Sequence, residues 1–115
     1  MSFLKLDYSK YAIDVTGEPK FARFLASLST DDHVRKKLDK MLDTLKINPD
    51  AGEQVQRNLW PDDYKKAGFR NVFRYEVDDS MRATYTIRRS GDLHLEVAVI
   101  EFFRTHKEYE RKFNY

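Results

Sequence analysis

Between Phe69 and Val99 the chain runs through three successive segments in which residue polarity alternates, each followed by a change of direction. In FRNVFRYEV, residues Phe69, Asn71, Phe73, Tyr75 and Val77 share one face, and Arg70, Val72, Arg74 and Glu76 share the other. In MRATYTIR, residues Met81, Ala83, Tyr85 and Ile87 oppose Arg82, Thr84, Thr86 and Arg88. In LHLEVAVI, residues Leu93, Leu95, Val97 and Val99 oppose His94, Glu96 and Ala98. The turn signals DDS and SGD separate the segments. A period of two repeated at hairpin spacing commits this stretch to an antiparallel sheet, with one face that must be covered and one that carries arginines.

The cover comes from upstream. YAIDV (Tyr11 to Val15) reads as a short strand, after which Thr16 caps a helix with Pro19 in its first turn. Phe21, Phe24, Leu25 and Leu28 recur at helical spacing. Ser29 or Thr30 restarts a helix whose one face carries Val34, Leu38, Met41, Leu42 and Leu45, and Asn48-Pro49 ends it. So little chain separates the two helices that an antiparallel hairpin is expected. Residues 50–68 show little periodicity and read as a loop with one helical turn, in which Trp60-Pro61 serves as an apolar anchor. At the far end Thr105 stands three residues before Glu108, a capping box that opens a last helix. It places His106 in the first turn and Tyr109 one turn on, on the same face. The expected fold is α+β in the order β-α-α-β-β-β-α. The helical hairpin packs on one face of an antiparallel-rich sheet, the C-terminal helix is short, and the arginine face stays open.

A chain of 115 residues, 41% hydrophobic and 35% charged, suits one globular domain over 1–115, with 1–10 as an N-terminal extension. There is no cysteine, which excludes disulfides and thiol chemistry and suits a reducing cytoplasm. The opening MSFLKLDYSK lacks the apolar stretch of a signal peptide, and no apolar run has membrane-spanning length. Net charge is only +2, a weak pointer to nucleic acid, so the placement of the cations matters more than their number. No Gly-rich phosphate loop, nucleophile elbow or zinc motif is present, and no metal or cofactor is expected.

Arg70, Arg74, Arg82 and Arg88 on one sheet face, Lys65 and Lys66 just ahead of it, and His106 with Tyr109 after the last strand would suit metal-free RNA cleavage. That reaction needs a base for the ribose 2′-hydroxyl, an acid for the leaving 5′-oxygen, and cations for the phosphate. Arginine forks match phosphate oxygens, and tyrosine stacks on bases. The plainer reading pairs these arginines with carboxylates such as Glu76 and Glu96 and leaves His106 a surface residue.

The helical hairpin ending in LKINPDAG, the pair GFRNVFRYEV and MRATYTI, the closing VAVIEFFRTHKEYERKF and the order of elements resemble the RelE/ParE superfamily of toxins from toxin–antitoxin pairs. The resemblance covers about residues 16–115, and its H-x-x-Y ending is closest to the mRNA interferase branch (RelE-, YoeB- and HigB-like). It implies a ribosome-dependent mRNA endonuclease held in check by a cognate antitoxin. It also implies catalytic roles for His106 as general acid/base, Tyr109 orienting or stacking on substrate, and Arg82 on the scissile phosphate. Arg74 would support Arg82, Lys65 and Lys66 would form the basic pair that binds substrate together with Arg70, Arg74 and Arg88, and Glu53 lies in the region of a YoeB-like glutamate. A free monomer is expected. The alternatives are a ParE-like gyrase poison and a non-catalytic interaction module.

Overall fold

The computed structural model describes residues 7–113. Residues 1–6 of the expected N-terminal extension lie outside it. Among the described residues the protein is an α+β fold of five strands and four α-helices, with the sheet order β1-β5-β4-β3-β2. β1 (Ala12–Gly17) lies at one edge and pairs in parallel with β5 (His94–Phe103). β4 (Arg82–Gly91), β3 (Phe73–Glu76) and the two-residue β2 (Glu53–Gln54) follow antiparallel to their neighbours. None of the helices described is long and apolar enough to cross a membrane.

The expected hairpin is α1 (Pro19–Ser27) and α2 (His33–Ile47). Its caps differ from those read in the sequence. Thr16 stays inside β1, and Glu18 precedes Pro19 as the extended residue before α1. Asp32 caps α2 in place of Ser29 or Thr30, because its carboxylate accepts the N–H groups of Val34 and Arg35 at 2.7 and 3.3 Å. Arg35 closes the hairpin by donating to the carbonyls of Leu25 and Leu28, both at 3.2 Å. Phe21, Val34, Leu38, Met41 and Leu45 then pack on Phe73, Ala83, Tyr85, Val97 and Val99, the face that alternation assigns to the core.

The other face is not open. In the stretch from 50 to 68, β2 adds an unexpected edge strand to the sheet, while α3 (Asp62–Lys66) is the helical turn expected there and packs with α4 (His106–Phe113) against this face. A second core forms there from Val55, Trp60, Tyr64, Val72, Ile100, Phe103, Tyr109 and Phe113. Trp60 is the expected anchor, with its indole N–H donating to the carbonyl of Val55 at 2.9 Å. A β-bulge explains how β5 serves both cores. Tyr85 pairs with Val99 and Thr84 with Glu101, so Ile100 is the extra residue. The bulge reverses the alternation: Phe102 joins the first core and Phe103 the second.

Candidate functional site

Register gathers part of the expected site at one end of the sheet. Glu76 pairs with Arg82, and Arg82 with Phe103, three residues before His106. Glu53 pairs with Arg74, and its carboxylate forms an ion pair with the guanidinium. That guanidinium also lies 5.7 Å over the ring of Tyr109, one helical turn beyond His106. Glu53, Arg74 and Tyr109 thus form a connected group from β2, β3 and α4, and His106 stands three residues before Tyr109 on α4.

The roles available to these residues differ from those expected. Tyr109 is fully buried, with its ring 4.5 Å from Phe113 and edge-on to Phe103 at 5.4 Å. It is a core residue that supports Arg74, not an exposed platform for a base. Arg82 is only 7% exposed. Its Nη1 donates to the carbonyls of Asp78 and Met81 at 2.7 and 3.1 Å, which ties the β3–β4 turn, and Nη2 stands 3.9 Å from Glu76. A guanidinium used in this way does not face a phosphate in solution. His106 is exposed, with Glu110 at 3.9 Å on the next turn.

The remaining cations lie elsewhere. Arg88 stands six residues along β4 from Arg82, roughly 20 Å at strand rise, so the two cannot hold one phosphate. It pairs with Glu96 at 3.0 Å and Glu18 at 3.3 Å. Arg70 is exposed ahead of Asn71, whose side chain bonds to Thr86 and Ile87 near the Arg88 end. Lys65 and Lys66 are exposed on the last turn of α3. Lys65 lines a surface cavity with Arg111 and Lys112, and Lys112 is paired with Asp63 at 2.8 Å. The single cationic face expected from alternation is therefore several separate groups, and Arg74, Arg82 and Arg88 are each paired with a carboxylate.

Sequence reasoning missed a buried polar network on the second face. The Tyr64 hydroxyl donates to Glu101 Oε1 at 2.8 Å and meets the Thr84 hydroxyl at 2.9 Å, while Lys20 donates to Glu101 Oε2 at 2.6 Å. Burial, with the Glu101 carboxylate beside it, pushes the Tyr64 phenol far above its ordinary range, so it remains a donor. The available signal was the lone glutamate inside the apolar run VAVIEFF. The last helix opens much as the capping box predicts. Glu108 N–H donates to Thr105 Oγ1 at 3.1 Å, but the Glu108 carboxylate returns to the N–H of Arg104, one residue earlier than expected, at 3.0 Å.

No protein-family model matches the chain, and no curated protein and no solved structure matches it either.

Proposed function

We propose that this is a RelE-like toxin of a toxin–antitoxin pair, a metal-independent mRNA endonuclease of the interferase branch that acts on the ribosome. The observation that carries the reading is the Glu53–Arg74 pair seated on Tyr109, one turn from the exposed imidazole of His106. Glu53 is largely exposed, so water can take its place as a phosphate engages Arg74. The freed Glu53 carboxylate takes the proton of the 2′-hydroxyl. The 2′-oxygen attacks the adjacent phosphorus, the bond to the 5′-oxygen breaks, and protonated His106 donates to that leaving oxygen. Arg74 stabilises the charge that builds on the phosphate. Arg82 holds the β3–β4 turn that frames the site, a positioning role in place of direct contact. A cognate antitoxin would keep the protein inactive in the cytoplasm.

The test is primer extension on a defined mRNA in a reconstituted translation system, with and without ribosomes. Wild-type protein should give new 5′ ends at the A site only when ribosomes are present. Glu53→Gln, Arg74→Ala and His106→Ala should each lower cleavage by about 100-fold or more. Undiminished cleavage by His106→Ala would overturn the assignment. A binding-only reading draws on one observation: Arg74, Arg82 and Arg88 all have carboxylate partners. It expects no cleavage from folded wild-type protein, and inhibition of DNA supercoiling would then single out the gyrase-poison form.

A further inference from the structure

β1 (Ala12–Gly17) is the long open edge of the sheet, and β2 at the other edge has only two residues. In a parallel ladder, alternate residues turn both main-chain groups towards the neighbouring strand. The N–H of Ala12 donates to the Leu93 carbonyl and that of Glu18 to the Val99 carbonyl, both at 2.8 Å. Ala12, Asp14 and Thr16 therefore bond to β5, and the N–H and C=O groups of Ile13, Val15 and Gly17 point outward. Among the described residues these six groups have no hydrogen-bond partner. The strand runs from Ala12 beside His94 to Gly17 beside Val99 without a bulge, and it holds no lysine or proline, so the usual devices that blunt an edge are missing. Its one charge, Asp14, bonds to His94 at 2.6 Å. Two surface cavities, of about 540 and 270 Å³, run along this edge. Val15 and Leu42 line both of them, with Ile13 in the larger and Leu25 in the smaller.

We infer that β1 is the contact surface for a second copy of this chain, paired antiparallel about a twofold axis at Val15, in place of the free monomer expected from the sequence. Positions 13, 15 and 17 are symmetric about 15. In this register Val15 faces its own copy, and Ile13 faces Gly17 of the other. Facing residues exchange both main-chain bonds, so every outward group of both chains is satisfied. A shift of the axis to a neighbouring position leaves some of them unpaired. Gly17 has no side chain, and its Cβ position lies 2.9 Å from the ring of Phe21, so Ile13 of the second copy finds room there against an aromatic. Val15 and Leu42 bring apolar surface to the axis from both copies. Asp43 and Lys46, which line the larger cavity, are exposed, and one charge of each sign beside a twofold axis makes a surface complementary to itself. β2, which carries Glu53, lies at the opposite edge of the sheet, so pairing through β1 leaves the proposed catalytic group uncovered and does not depend on its chemistry.

The experiment is sedimentation equilibrium over a concentration series, with hydrogen exchange on the same samples. Wild-type protein should reach the mass of a dimer. The amides of Ile13, Val15 and Gly17 should exchange more slowly as concentration rises, while those of Asp14 and Thr16, bonded to β5, stay protected throughout. Val15→Pro removes an outward N–H that the protomer does not use, so the fold should persist by circular dichroism while dimerisation weakens by about 100-fold. The chain has no cysteine, so Val15→Cys carries a single thiol. Facing residues of a hydrogen-bonded antiparallel pair have Cα atoms about 5.5 Å apart, and a short bismaleimide should link two copies of Val15→Cys. It should not link Ala12→Cys, whose copies would stand roughly 20 Å apart along the strands. A monomer at every concentration, with the three outward amides exchanging freely, would overturn self-pairing; an edge kept for a strand of another protein gives that result. A dimer that Val15→Cys fails to cross-link would overturn the assignment to β1, whether or not Val15→Pro folds.

Discussion

Tyr109 shows why residue type and spacing alone mislead. A tyrosine one turn after a histidine fits a substrate contact, yet its burial decides the matter. Tyr109→Ala should cost about 3–5 kcal/mol of stability, as for other large aromatics cut from a core, measured by urea unfolding. A variant of wild-type stability that loses only cleavage would return Tyr109 to the surface role. Tyr85 makes the same point in the first core. Its hydroxyl accepts the Gly52 N–H at 2.9 Å and donates to the Pro49 carbonyl at 2.7 Å, which fixes the segment between α2 and β2. A Cβ at position 52 would lie 2.7 Å from that hydroxyl and 2.6 Å from the Arg74 carbonyl, so the approach requires glycine. Tyr85→Phe leaves both backbone groups without this partner and should cost about 1–3 kcal/mol with an unchanged denaturant slope.

Among the elements, the turn between β3 and β4 carries a pH dependence. Asp78 accepts from Lys37 at 2.6 Å and from the N–H groups of Met81 and Ser80 at 2.7 and 2.9 Å. The hydrogen bond to Lys37 first, then those two amides, holds its carboxyl well below the usual aspartate range. A carboxyl depressed on folding stabilises the fold above its unfolded pKa and loses that contribution as pH falls. The stability gap between wild type and Asp78→Asn should therefore be full at neutral pH and close below about pH 4, measured by unfolding at a series of pH values. A gap that stays constant down to pH 2 would contradict this. The turn itself was legible, as were the alternation of β4, the hairpin helices and the start of α4, since each is a local pattern. The bulge at Ile100 was not, because VAVIEFF is apolar on both sides of it and its phase depends on the partner strand. The helical turn α3 and the Trp60 anchor were legible, but that they cover the second face was not, because Tyr64 reaches its partners Thr84 and Glu101 across a sheet the local sequence does not show.

On the scale of the molecule, one sheet separates two cores of unequal support. Helices of 5 and 8 residues, such as α3 and α4, are too short to persist in water alone, so they depend on the aromatic contacts between them. Tyr64 meets Phe113 edge-on at 5.4 Å. In hydrogen exchange the amides of α3 and α4 should open together and before those of β4 and β5. Phe113→Ala should accelerate both helices and leave α2 unchanged; equal acceleration of α2 would show one cooperative unit instead. The parallel pairing of β1 with β5 bears on how the chain is made. Asp14 and His94, bonded at 2.6 Å, are 80 positions apart in sequence. Contacts at such separation close late, because a long loop must be ordered first. As the polypeptide emerges from a translating ribosome, its first strand and helical hairpin wait with their apolar faces uncovered until nearly all the rest has been synthesised. A nascent chain stalled before β5 would keep both apolar faces exposed and would be a client for chaperones.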